Sequence, residues 1–174
     1  QLLDKRSTQM SNQFIEIERK FLLESFPVKF PLKKQLTTYQ AYLSIEPEVR
    51  IRRSEADGRD VAHFLTIKSN GTLVRKEVEM SIRAEDFYAL TEMVPYSFIK
   101  KEYRVYELPN GLQLECSLVD EGSSFAFMYA EVEFPSEEEA EAFAPCFDYV
   151  GEITQCADYK MKNYWKRTRL KGRM

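Results

Sequence analysis

The stretch Phe14-Ile15-Glu16-Ile17-Glu18-Arg19-Lys20-Phe21-Leu22 alternates between apolar and charged residues. On a β-strand, successive side chains point to opposite faces of the sheet. Glu16, Glu18 and Lys20 therefore share one face, while the opposite face is mostly apolar. Such a row of charges is typical of a face exposed to solvent. Two carboxylates beside an ammonium group also suit a site for a hard cation and an anionic substrate.

The same alternation recurs in later segments, each of which carries charged residues on one face. These segments are Val49–Arg52, Phe64–Lys68, Val74–Met80, Leu114–Ser117 and Ala130–Phe134. Several charged strand faces in a chain of 174 residues favour a common polar interior. Closing a sheet into a barrel creates such an interior from one face of every strand, and about eight strands enclose room for a small ligand.

Length, composition and net charge restrict the class of protein. The chain is long enough for one domain with a hydrophobic core. We predict a single domain at residues 13–174, preceded at residues 1–12 by an extension that is either natural or left by cloning. The net charge of −3 argues against a nucleic-acid partner. Because no run of about 18 apolar residues is present, we expect no membrane partner. We expect the protein to be a monomer or a homodimer.

The cysteines and the single histidine restrict the chemistry further. The cysteines are Cys116, Cys146 and Cys156. Their odd number, and the absence of a CxxC pattern, predict neither a disulfide framework nor a thiolate metal site, so a reducing cytoplasm is expected. Alternation places His63 with Leu65, on the face opposite Lys68. We interpret His63 as structural, which excludes a histidine-based metal site or catalytic triad.

Alternating runs separated by turn signals predict an α+β fold with eight antiparallel strands and a few flanking helices. The predicted strands are residues 13–23, 37–45, 48–55, 61–69, 73–81, 97–107, 111–119 and 125–134. Asp57-Gly58 and Asn70-Gly71 are short turn signals, and such short links join antiparallel neighbours. Helices are predicted at residues 84–93, from the cap Ser136 to Phe143, and over a basic C-terminal segment at residues 157–170.

Carboxylate pairs on separate strands indicate a divalent cation. The pairs are Glu16 with Glu18, Glu77 with Glu79, and Glu131 with Glu133. Held close together without a cation, they would repel one another and their pKa values would rise. Oxygen-only ligands favour Mg²⁺, Mn²⁺ or Ca²⁺ over Zn²⁺. Arg50 and Arg52 suit forked binding of phosphate oxygens, and basic groups beside an acid-held cation are typical of phosphoryl transfer. The chain has no GxxxxGK[ST] loop.

The segment Glu16-Ile17-Glu18-Arg19-Lys20 resembles the ExExK signature of the CYTH superfamily, the triphosphate tunnel metalloenzymes. The resemblance continues in order over nearly the whole chain, to about residue 165. The other matching segments are Tyr42–Leu43, Val49–Arg52, Leu65–Lys68, Arg75–Glu79, Ala130–Glu133 and Asp158–Lys160 with Asn163. It implies an eight-stranded antiparallel tunnel, lined or plugged by a C-terminal helix, that hydrolyses or cyclises triphosphates with Mg²⁺ or Mn²⁺. By length and motif form, the chain is most similar to the short bacterial inorganic triphosphatases.

Two segments depart from the family pattern. The sixth strand of the family reads Lys-x-Arg-Tyr, and here it is Lys100-Lys101-Glu102-Tyr103-Arg104. Aligning Tyr103 puts Glu102 where the family has arginine, and leaves Lys100 and Arg104 on the inner face. The seventh strand reads Trp-Glu-Val-Asp in the family, so that Ser117 replaces a carboxylate here. Losing one cation and one anion together keeps the charge balance, but it motivates an alternative, a phosphate-binding module with little catalysis.

The resemblance and the strand spacing together give each candidate residue a role. The predicted metal ligands are Glu16, Glu18, Glu131 and Glu133. The predicted phosphate-binding residues are Lys20, Arg50, Arg52, Lys68, Arg75, Lys100, Arg104 and Lys160. The predicted catalytic residues are Lys20, Glu77, Glu79 and Lys100. The two glutamates would order basic side chains or bind a second metal. The expected activity is hydrolysis of inorganic triphosphate; the alternatives on this fold are an adenylate cyclase or a hydrolase of thiamine or nucleoside triphosphates.

Overall fold

The computed structural model describes residues 14–171. The strands are β1 (Ile15–Leu23), β2 (Leu32–Ser44), β3 (Glu48–Ala56), β4 (Arg59–Lys68), β5 (Val74–Ser81), β6 (Ile99–Glu107), β7 (Gln113–Val119), β8 (Phe127–Glu133) and β9 (Gly151–Glu152). The helices are α1 (Ala84–Thr91), α2 (Glu137–Ala142) and α3 (Met161–Trp165), with a 3-10 turn at Ala157–Tyr159 and a π-helical turn at Lys166–Leu170. The predicted N-terminal extension lies outside the described residues, and the prediction of one domain from residue 13 stays a prediction.

The first strand closes the sheet into a barrel. The strands follow the order β5-β4-β3-β2-β6-β7-β8-β1, and β1 also pairs with β5. Residues Ile15–Ile17 pair with β5, and Glu18–Leu23 pair with β8, both antiparallel. The short strand β9 adds to the outside of this seam by pairing with Phe21 and Leu22. The eight-stranded antiparallel barrel of the α+β class is therefore confirmed.

The hydrophobic core lies between the outer face of the barrel and the helices, because the inner face is charged. Phe21, Cys116 and Val132 are fully buried in one cluster, which includes Ala140 of α2. A second cluster packs Ile51 against α1 and α3, where Phe87 and Trp165 are buried. Each large apolar side chain buried in this way stabilises the fold by about 1.5–3 kcal/mol. These contacts fix the barrel wall, and so the direction in which the alternate side chains point.

Two predicted turns use residues in the left-handed backbone region. Asp57 and Gly58 have φ values of 51° and 74°, as a two-residue hairpin between β3 and β4 requires. Gly71, between β4 and β5, has a φ of 144°, and a Cβ atom there would collide with the carbonyl oxygen of Val74. Glycine is therefore required at position 71, where the turn approaches the C-terminal segment.

The structure differs from the predicted elements at three places. Strand β2 begins at Leu32, five positions earlier than predicted, and the side chains of its first four residues are exposed. The two-residue strand β9 was not predicted. The predicted C-terminal helix is interrupted at Lys160, which is extended with φ −66° and ψ 132°. The interruption coincides with tertiary contacts, because the Tyr159 carbonyl accepts a hydrogen bond from Lys20 and Lys160 itself donates to Gly71.

The other helix predictions are confirmed. The Ser136 hydroxyl accepts a hydrogen bond from the Glu139 amide at 3.2 Å, which caps α2. Helix α1 buries Phe87 and begins at the predicted residue. Between residues 14 and 171, no helix has the length and apolar character needed to cross a bilayer. The three cysteines are unpaired; Cys116 is buried and the other two are exposed.

Candidate functional site

The inner face of the barrel encloses a charged cavity of about 520 Å³. Lys34, Leu36 and Val61 lie at its mouth, where β2 and β4 begin, and the C-terminal segment Tyr159–Met161 covers the opposite end. Its charged lining residues are Glu16, Glu18, Lys20, Lys34, Glu48, Arg50, Arg52, Lys68, Arg75, Glu77, Glu79, Lys101, Glu115, Glu131, Glu133 and Lys160. The volume is in the range of small-molecule sites, and nearly half of the lining residues are charged, which is unusual for such a site.

The predicted alternation of β1 is confirmed. Glu16 and Glu18 point into the cavity and are each only 8% exposed, and Lys20 lines the cavity with them. Arg19 points outward, where its guanidinium donates to both carboxylate oxygens of Glu152 at 2.7 and 2.9 Å. The same group donates to the carbonyl oxygen of Ala140, so that it fastens α2 to the outer face of the barrel.

Three carboxylates meet where β1 lies beside β8. Oxygen atoms of Glu16, Glu18 and Glu133 all lie within 4.8 Å of one another. Burial and the neighbouring Glu131 carboxyl hold the pKa of Glu18 well above its usual range. Burial and nearby carboxylates, Glu115 foremost, raise the pKa of Glu133 to about 8. Crowded oxygen donors whose charges repel one another fit a hard divalent cation, which would relieve that repulsion.

Glu131, the fourth predicted metal ligand, lies beside this cluster and is not part of it. Its carboxyl is within hydrogen-bonding reach of Glu18. Burial would raise the pKa of Glu131, but the Lys20 ammonium and the hydrogen bond with Glu18 outweigh burial and lower it. The Lys20 ammonium and the hydrogen bond with Glu18 therefore favour the ionised form of Glu131.

Two predicted phosphate-binding residues are held by carboxylates in the structure. The Lys68 ammonium lies 3.1 Å from Glu16 and 3.0 Å from Glu77. The Arg75 guanidinium lies 3.2 Å from Glu16, 3.4 Å from Glu18 and 3.5 Å from Glu48. These ion pairs neutralise part of the acidic cluster and fix its side chains. Lys68 and Arg75 therefore orient the cluster as much as they offer charge to a ligand.

Arg50 and Arg52 project into the cavity from β3, as the alternation predicts. Arg50 approaches the phenol of Tyr42. Arg52 lies 3.7 Å from Glu79 and 5.2 Å from the ring centroid of Phe64. The buried Nε atoms of Arg50, Arg52 and Arg75 have no hydrogen-bond partner. Buried donors without partners are costly, so these groups are poised to receive an oxygen-rich anion.

The placement of β6 is where the sequence prediction was wrong. Lys100 is exposed, and Lys101 is the buried lysine that points into the cavity. Arg104 lies on the outer face, with its guanidinium 4.0 Å from the ring centroid of Phe26. The register explains the error, because Lys101 pairs with Thr38 of β2, whose side chain faces inward. Lys100 and Arg104 are therefore not part of the site.

Sequence reasoning missed several residues that line the cavity. Tyr103 occupies the inner position two residues after Lys101, and its hydroxyl donates to Glu115. Glu48 begins the inner face of β3 and is only 6% exposed. Tyr129, in the same alternation as Glu131 and Glu133, is 1% exposed and accepts a hydrogen bond from Lys101. For Glu48 and Tyr129 the signal was present, since extending the strand alternation by one step would have found them. Tyr103 was missed because the sequence analysis assigned the opposite face of β6 to the interior.

The closed end of the cavity is held by lysine contacts to backbone carbonyls. Lys20 donates to the Tyr159 carbonyl at 2.7 Å, and Lys160 donates to the Gly71 carbonyl at 2.6 Å. Lys162 donates to the side chain of Asn70 at 2.9 Å. The C-terminal segment is therefore attached both to β1 and to the β4–β5 turn. Lys160, a predicted phosphate-binding residue, lines the cavity at this closed end.

Asp120 anchors the far end of the C-terminal segment, and its replacement tests that anchor. Its carboxylate accepts hydrogen bonds from Tyr164 and, at 2.6 Å, from Arg169. Burial opposes the shift, but these two donors lower the pKa of Asp120 from its ordinary value of 3.8. Its contribution to folding should then be complete above pH 3.8 and lost as the pH falls through the lowered pKa. We expect Asp120→Asn to cost about 1.5–3 kcal/mol at pH 7 by urea unfolding.

Asparagine is the suitable replacement because Asp120 has a φ of 46°, which asparagine tolerates. The exposed neighbour supplies the control, Glu121→Gln, which should change the free energy of unfolding by less than about 0.5 kcal/mol. The gap between wild type and Asp120→Asn should shrink as the pH approaches 3. A gap that is equally large at pH 7 and pH 3 would show that the anchor does not depend on the charge.

Comparison with known proteins identifies relatives. No family model matches the chain. A protein of Nitrosomonas europaea (strain ATCC 19718) named inorganic triphosphatase is 34% identical over 154 residues, which is 84% of this chain and 94% of that protein. The crystal structure of the inorganic triphosphatase NE1496 superposes with a TM-score of 0.60 at 31% identity, and covers 86% of this chain and 93% of its own.

A more distant structure shares the fold. PH1819 from Pyrococcus horikoshii OT3 has a TM-score of 0.52 at 17% identity, and covers 72% of this chain and 82% of its own. The sequence relative is similar over nearly its full length, and the barrel, its charged interior and the ExExK strand agree with it. The chain therefore belongs to the CYTH superfamily of triphosphate tunnel metalloenzymes and is similar to the bacterial inorganic triphosphatases within it.

Proposed function

We propose that the protein hydrolyses inorganic triphosphate, or a closely related triphosphate, inside the tunnel with Mg²⁺ or Mn²⁺. The observation that carries the proposal is a cluster of three carboxylates in the same buried cavity as arginines whose Nε atoms lack partners. A triphosphate carries the negative charge and the many oxygen atoms that such a cavity lacks. The relatives named inorganic triphosphatase support this substrate.

The carboxylate cluster would hold the cation. Glu16, Glu18 and Glu133 supply oxygen atoms within 4.8 Å of one another, and Glu131 lies alongside. A divalent cation bound there supplies Lewis-acid polarisation of phosphoryl oxygens and a bound water of lowered pKa. Lys68 and Arg75 keep the carboxylates oriented by their ion pairs.

The cationic wall would bind and orient the phosphate groups. Arg50, Arg52 and Lys101 line the cavity and offer donors that no carboxylate fully occupies. Glu77 binds Lys68, while Glu79 accepts a hydrogen bond from Thr66 and lies near Arg52. These contacts support the role of Glu77 and Glu79 in ordering the basic side chains. The charge on the three phosphate-binding residues stabilises the charge that moves onto the leaving phosphate.

The direct test is phosphate release from tripolyphosphate. The purified protein is incubated with tripolyphosphate and Mg²⁺ or Mn²⁺, and orthophosphate is measured over time. Glu16→Gln is the reference, because it removes one ligand charge and keeps the volume and hydrogen-bonding capacity of the side chain. We expect release by the wild type at least about 100-fold above that reference. Equal release by both proteins contradicts the proposal.

Adjacent arginines on opposite faces of β3 provide a sharper test. We expect Arg52→Ala to lower kcat/KM for tripolyphosphate about 10- to 100-fold, because a charged hydrogen bond away from water contributes about 1.5–3 kcal/mol. Arg53 lies on the outer face, where it binds Glu55 and Asp60 and stacks on Tyr39 at 4.0 Å. Arg53→Ala should lower thermal stability and leave kcat/KM of the folded protein within about twofold. Equal losses of kcat/KM would mean that the inner face is misassigned.

An apolar mouth favours a second candidate, an organic triphosphate. Leu36, Val61 and Phe64 line the mouth, and Val61 is 55% exposed. The Arg52 guanidinium beside the Phe64 ring forms a cation–π pair on which a planar group could stack. An inorganic substrate makes no use of this apolar surface, whereas a nucleoside or thiamine group would bury it.

Phe64→Ala separates the two candidates. It should lower kcat/KM for a nucleoside triphosphate about tenfold and leave tripolyphosphate within about twofold, since one stacked ring is worth about 1–3 kcal/mol. Mass analysis of the products then distinguishes hydrolysis from cyclisation. A wild-type protein that prefers tripolyphosphate by several orders of magnitude would contradict the organic candidate.

We further propose a cytoplasmic location. All three cysteines are unpaired, and a reducing compartment such as the cytoplasm keeps thiols in that state. The net charge of −3 argues against a nucleic-acid partner. Cationic side chains that line the cavity can still attract a small anionic substrate into the tunnel.

A further inference from the structure

An unpaired acceptor and an unpaired donor lie opposite each other on neighbouring strands of the tunnel. Gln40 of β2 pairs with Arg52 of β3, and both side chains line the cavity. Side chains in such opposed positions have Cβ atoms about 4.5–5.5 Å apart. The Gln40 Oε1 atom and the Arg52 Nε atom are both buried, and neither has a hydrogen-bond partner. A carbonyl oxygen and an N–H group that could satisfy each other are therefore adjacent but not bonded.

Gln40 differs from the other polar groups of the tunnel. Its side chain is 1% exposed, and within residues 14–171 its Oε1 atom is the one buried side-chain acceptor that lacks a donor. The other end of the amide is occupied, because Nε2 donates to the Tyr42 hydroxyl at 3.4 Å. The reverse orientation of the amide would set its NH2 group against the Nε–H of Arg52, donor against donor. The observed orientation therefore leaves the acceptor end of the amide free for Arg52.

Arg52 is held loosely on its other side. Its ion pair with Glu79 of β5 spans 3.7 Å, which is longer than a hydrogen bond. Strand β4 lies between β3 and β5, and its Phe64 ring centroid is 5.2 Å from the Arg52 guanidinium. Burial and the neighbouring Arg50 lower the pKa of Arg52, as expected for a guanidinium that is incompletely neutralised. Arg52 thus has a weak contact toward β5 and an unused acceptor toward β2.

An anion in the cavity would compete with Glu79 for the Arg52 guanidinium. We propose that Gln40 is a positioning residue for Arg52: when a triphosphate draws the guanidinium away from Glu79, the Gln40 carbonyl accepts the Nε–H. The terminal nitrogens of Arg52 then bind two phosphate oxygens side by side, which is the geometry that a guanidinium favours. Two buried groups without partners are satisfied in the same step, which stabilises the bound state. The inference rests on the proposed function, because a triphosphate is the ligand that moves Arg52.

A double-mutant cycle tests whether Gln40 acts through Arg52. Binding of tripolyphosphate is measured by calorimetry in EDTA, which makes the readout independent of metal and of turnover. Gln40→Met keeps the length of the side chain and removes the acceptor, so it should weaken binding about tenfold. Arg52→Lys keeps the charge and removes the guanidinium Nε–H. In that background Gln40→Met should weaken binding by less than about twofold, because the contact it removes is already lost.

Arg75 supplies the matched control background. Its Nε atom is also buried without a partner and its side chain lines the same cavity, but β4 and β3 separate its strand from β2. In the Arg75→Lys background, Gln40→Met should still weaken binding about tenfold, because distant sites act independently. A merely structural role of Gln40 would instead lower the Tm and weaken binding by the same factor in all three backgrounds.

A spectroscopic measurement on the wild type requires no change at Gln40. The Nε–H signal of Arg52 is identified in the NMR spectrum of the isotope-labelled protein by its loss in Arg52→Lys. Adding tripolyphosphate should shift this signal downfield, as a new hydrogen bond does. The nuclear Overhauser effect between the Arg52 Nε–H and the side-chain hydrogens of Gln40 should become stronger at the same time.

The outcomes separate this inference from the proposed function. Full affinity in Gln40→Met, an equal loss in the Arg52→Lys background, or an Overhauser effect that tripolyphosphate does not change each overturns the positioning role. If wild type binds tripolyphosphate with the expected coupling but releases no phosphate with Mg²⁺ or Mn²⁺, the hydrolase proposal fails and the positioning role stands. If phosphate is released and the two substitutions act independently, only the positioning role fails. If wild type does not bind tripolyphosphate, both fail.

Discussion

Replacing Lys101 by methionine should lower kcat/KM for tripolyphosphate about 100-fold, whereas Lys100→Met should leave it within about twofold. The two residues are adjacent and chemically identical, but β6 buries the first in the tunnel and exposes the second. Lys101 meets an anionic ligand where water is largely excluded, and a charged hydrogen bond there is worth about 3 kcal/mol. Methionine preserves the length and the apolar stem of the side chain, so the loss reports the charge.

Steady-state kinetics of both variants, after a check of Tm, decides this prediction. Lys101→Met also removes the hydrogen bond to Tyr129, so its Tm shows whether the variant is folded before its kinetics are compared. A large loss of kcat/KM in Lys100→Met would reinstate the inner face that the sequence predicted for β6. Wild-type values of kcat/KM in both variants would show that the Lys101 ammonium does not contribute to substrate binding or turnover.

Replacing Glu18 by glutamine should produce a loss of at least about 100-fold in kcat and a higher requirement for Mn²⁺. Glu18 is one of the three carboxylates of the cluster, with an oxygen atom within 4.8 Å of oxygen atoms of Glu16 and Glu133. Glutamine keeps the shape but halves the ligand capacity and removes a charge, and even residues one shell further from a metal are commonly worth 10- to 100-fold. The measurement is the rate of phosphate release as a function of Mn²⁺ concentration.

The control for Glu18 is a carboxylate on the outer face of the same barrel. Glu102 accepts a hydrogen bond from Thr37 at 3.2 Å and does not line the cavity. Glu102→Gln should give a metal dependence like that of the wild type. If saturating Mn²⁺ restores the full rate of Glu18→Gln, its role is in affinity for the cation alone. If Glu18→Gln behaves like Glu102→Gln at every concentration, the cluster is not a cation site.

Strict alternation made most of the tunnel predictable from sequence. In β1 and β8, apolar residues separate the carboxylates, so only one face could pack against the core, and Glu16 and Glu131 had to point inward. The same holds for β3, where Ile51 separates Arg50 from Arg52. In each of these strands charged residues mark the inner face and mainly apolar residues mark the outer face, which is why the faces were predicted correctly.

In β6 the same rule had nothing to distinguish the faces. Residues Lys100–Arg104 are all polar or amphipathic, so either alternate set could face inward. The choice is made by the neighbours, because Lys101 pairs with Thr38 on one side and with Val119 on the other. Lys101 is buried by those partners and not by its own sequence context, and the prediction of Lys100 and Arg104 failed for that reason.

The closed end depends on contacts between distant segments, which local sequence does not encode. A basic stretch with Tyr164 and Trp165 predicts a helix by propensity, and α3 does form there. The break at Lys160 coincides with two long-range hydrogen bonds. Lys160 donates to the Gly71 carbonyl, and Lys20 donates to the Tyr159 carbonyl. Ion pairs of Arg75 with three glutamates on two strands are likewise a product of the closed barrel. The sequence therefore predicts which charged residues line the tunnel in most strands, but it does not predict which cationic side chains form ion pairs there.

The seam at β1 has a consequence for how the protein folds. The first strand of the barrel pairs with β8, the last of the eight barrel strands along the chain, where Glu18 pairs with Glu133. During synthesis β1 leaves the ribosome first and must wait for almost every other strand, so closure is a late, long-range event. The carboxylate cluster takes Glu16 and Glu18 from one side of that seam and Glu133 from the other. An unfinished chain therefore lacks the complete cluster, and the proposed binding of a divalent cation would report that the barrel has closed.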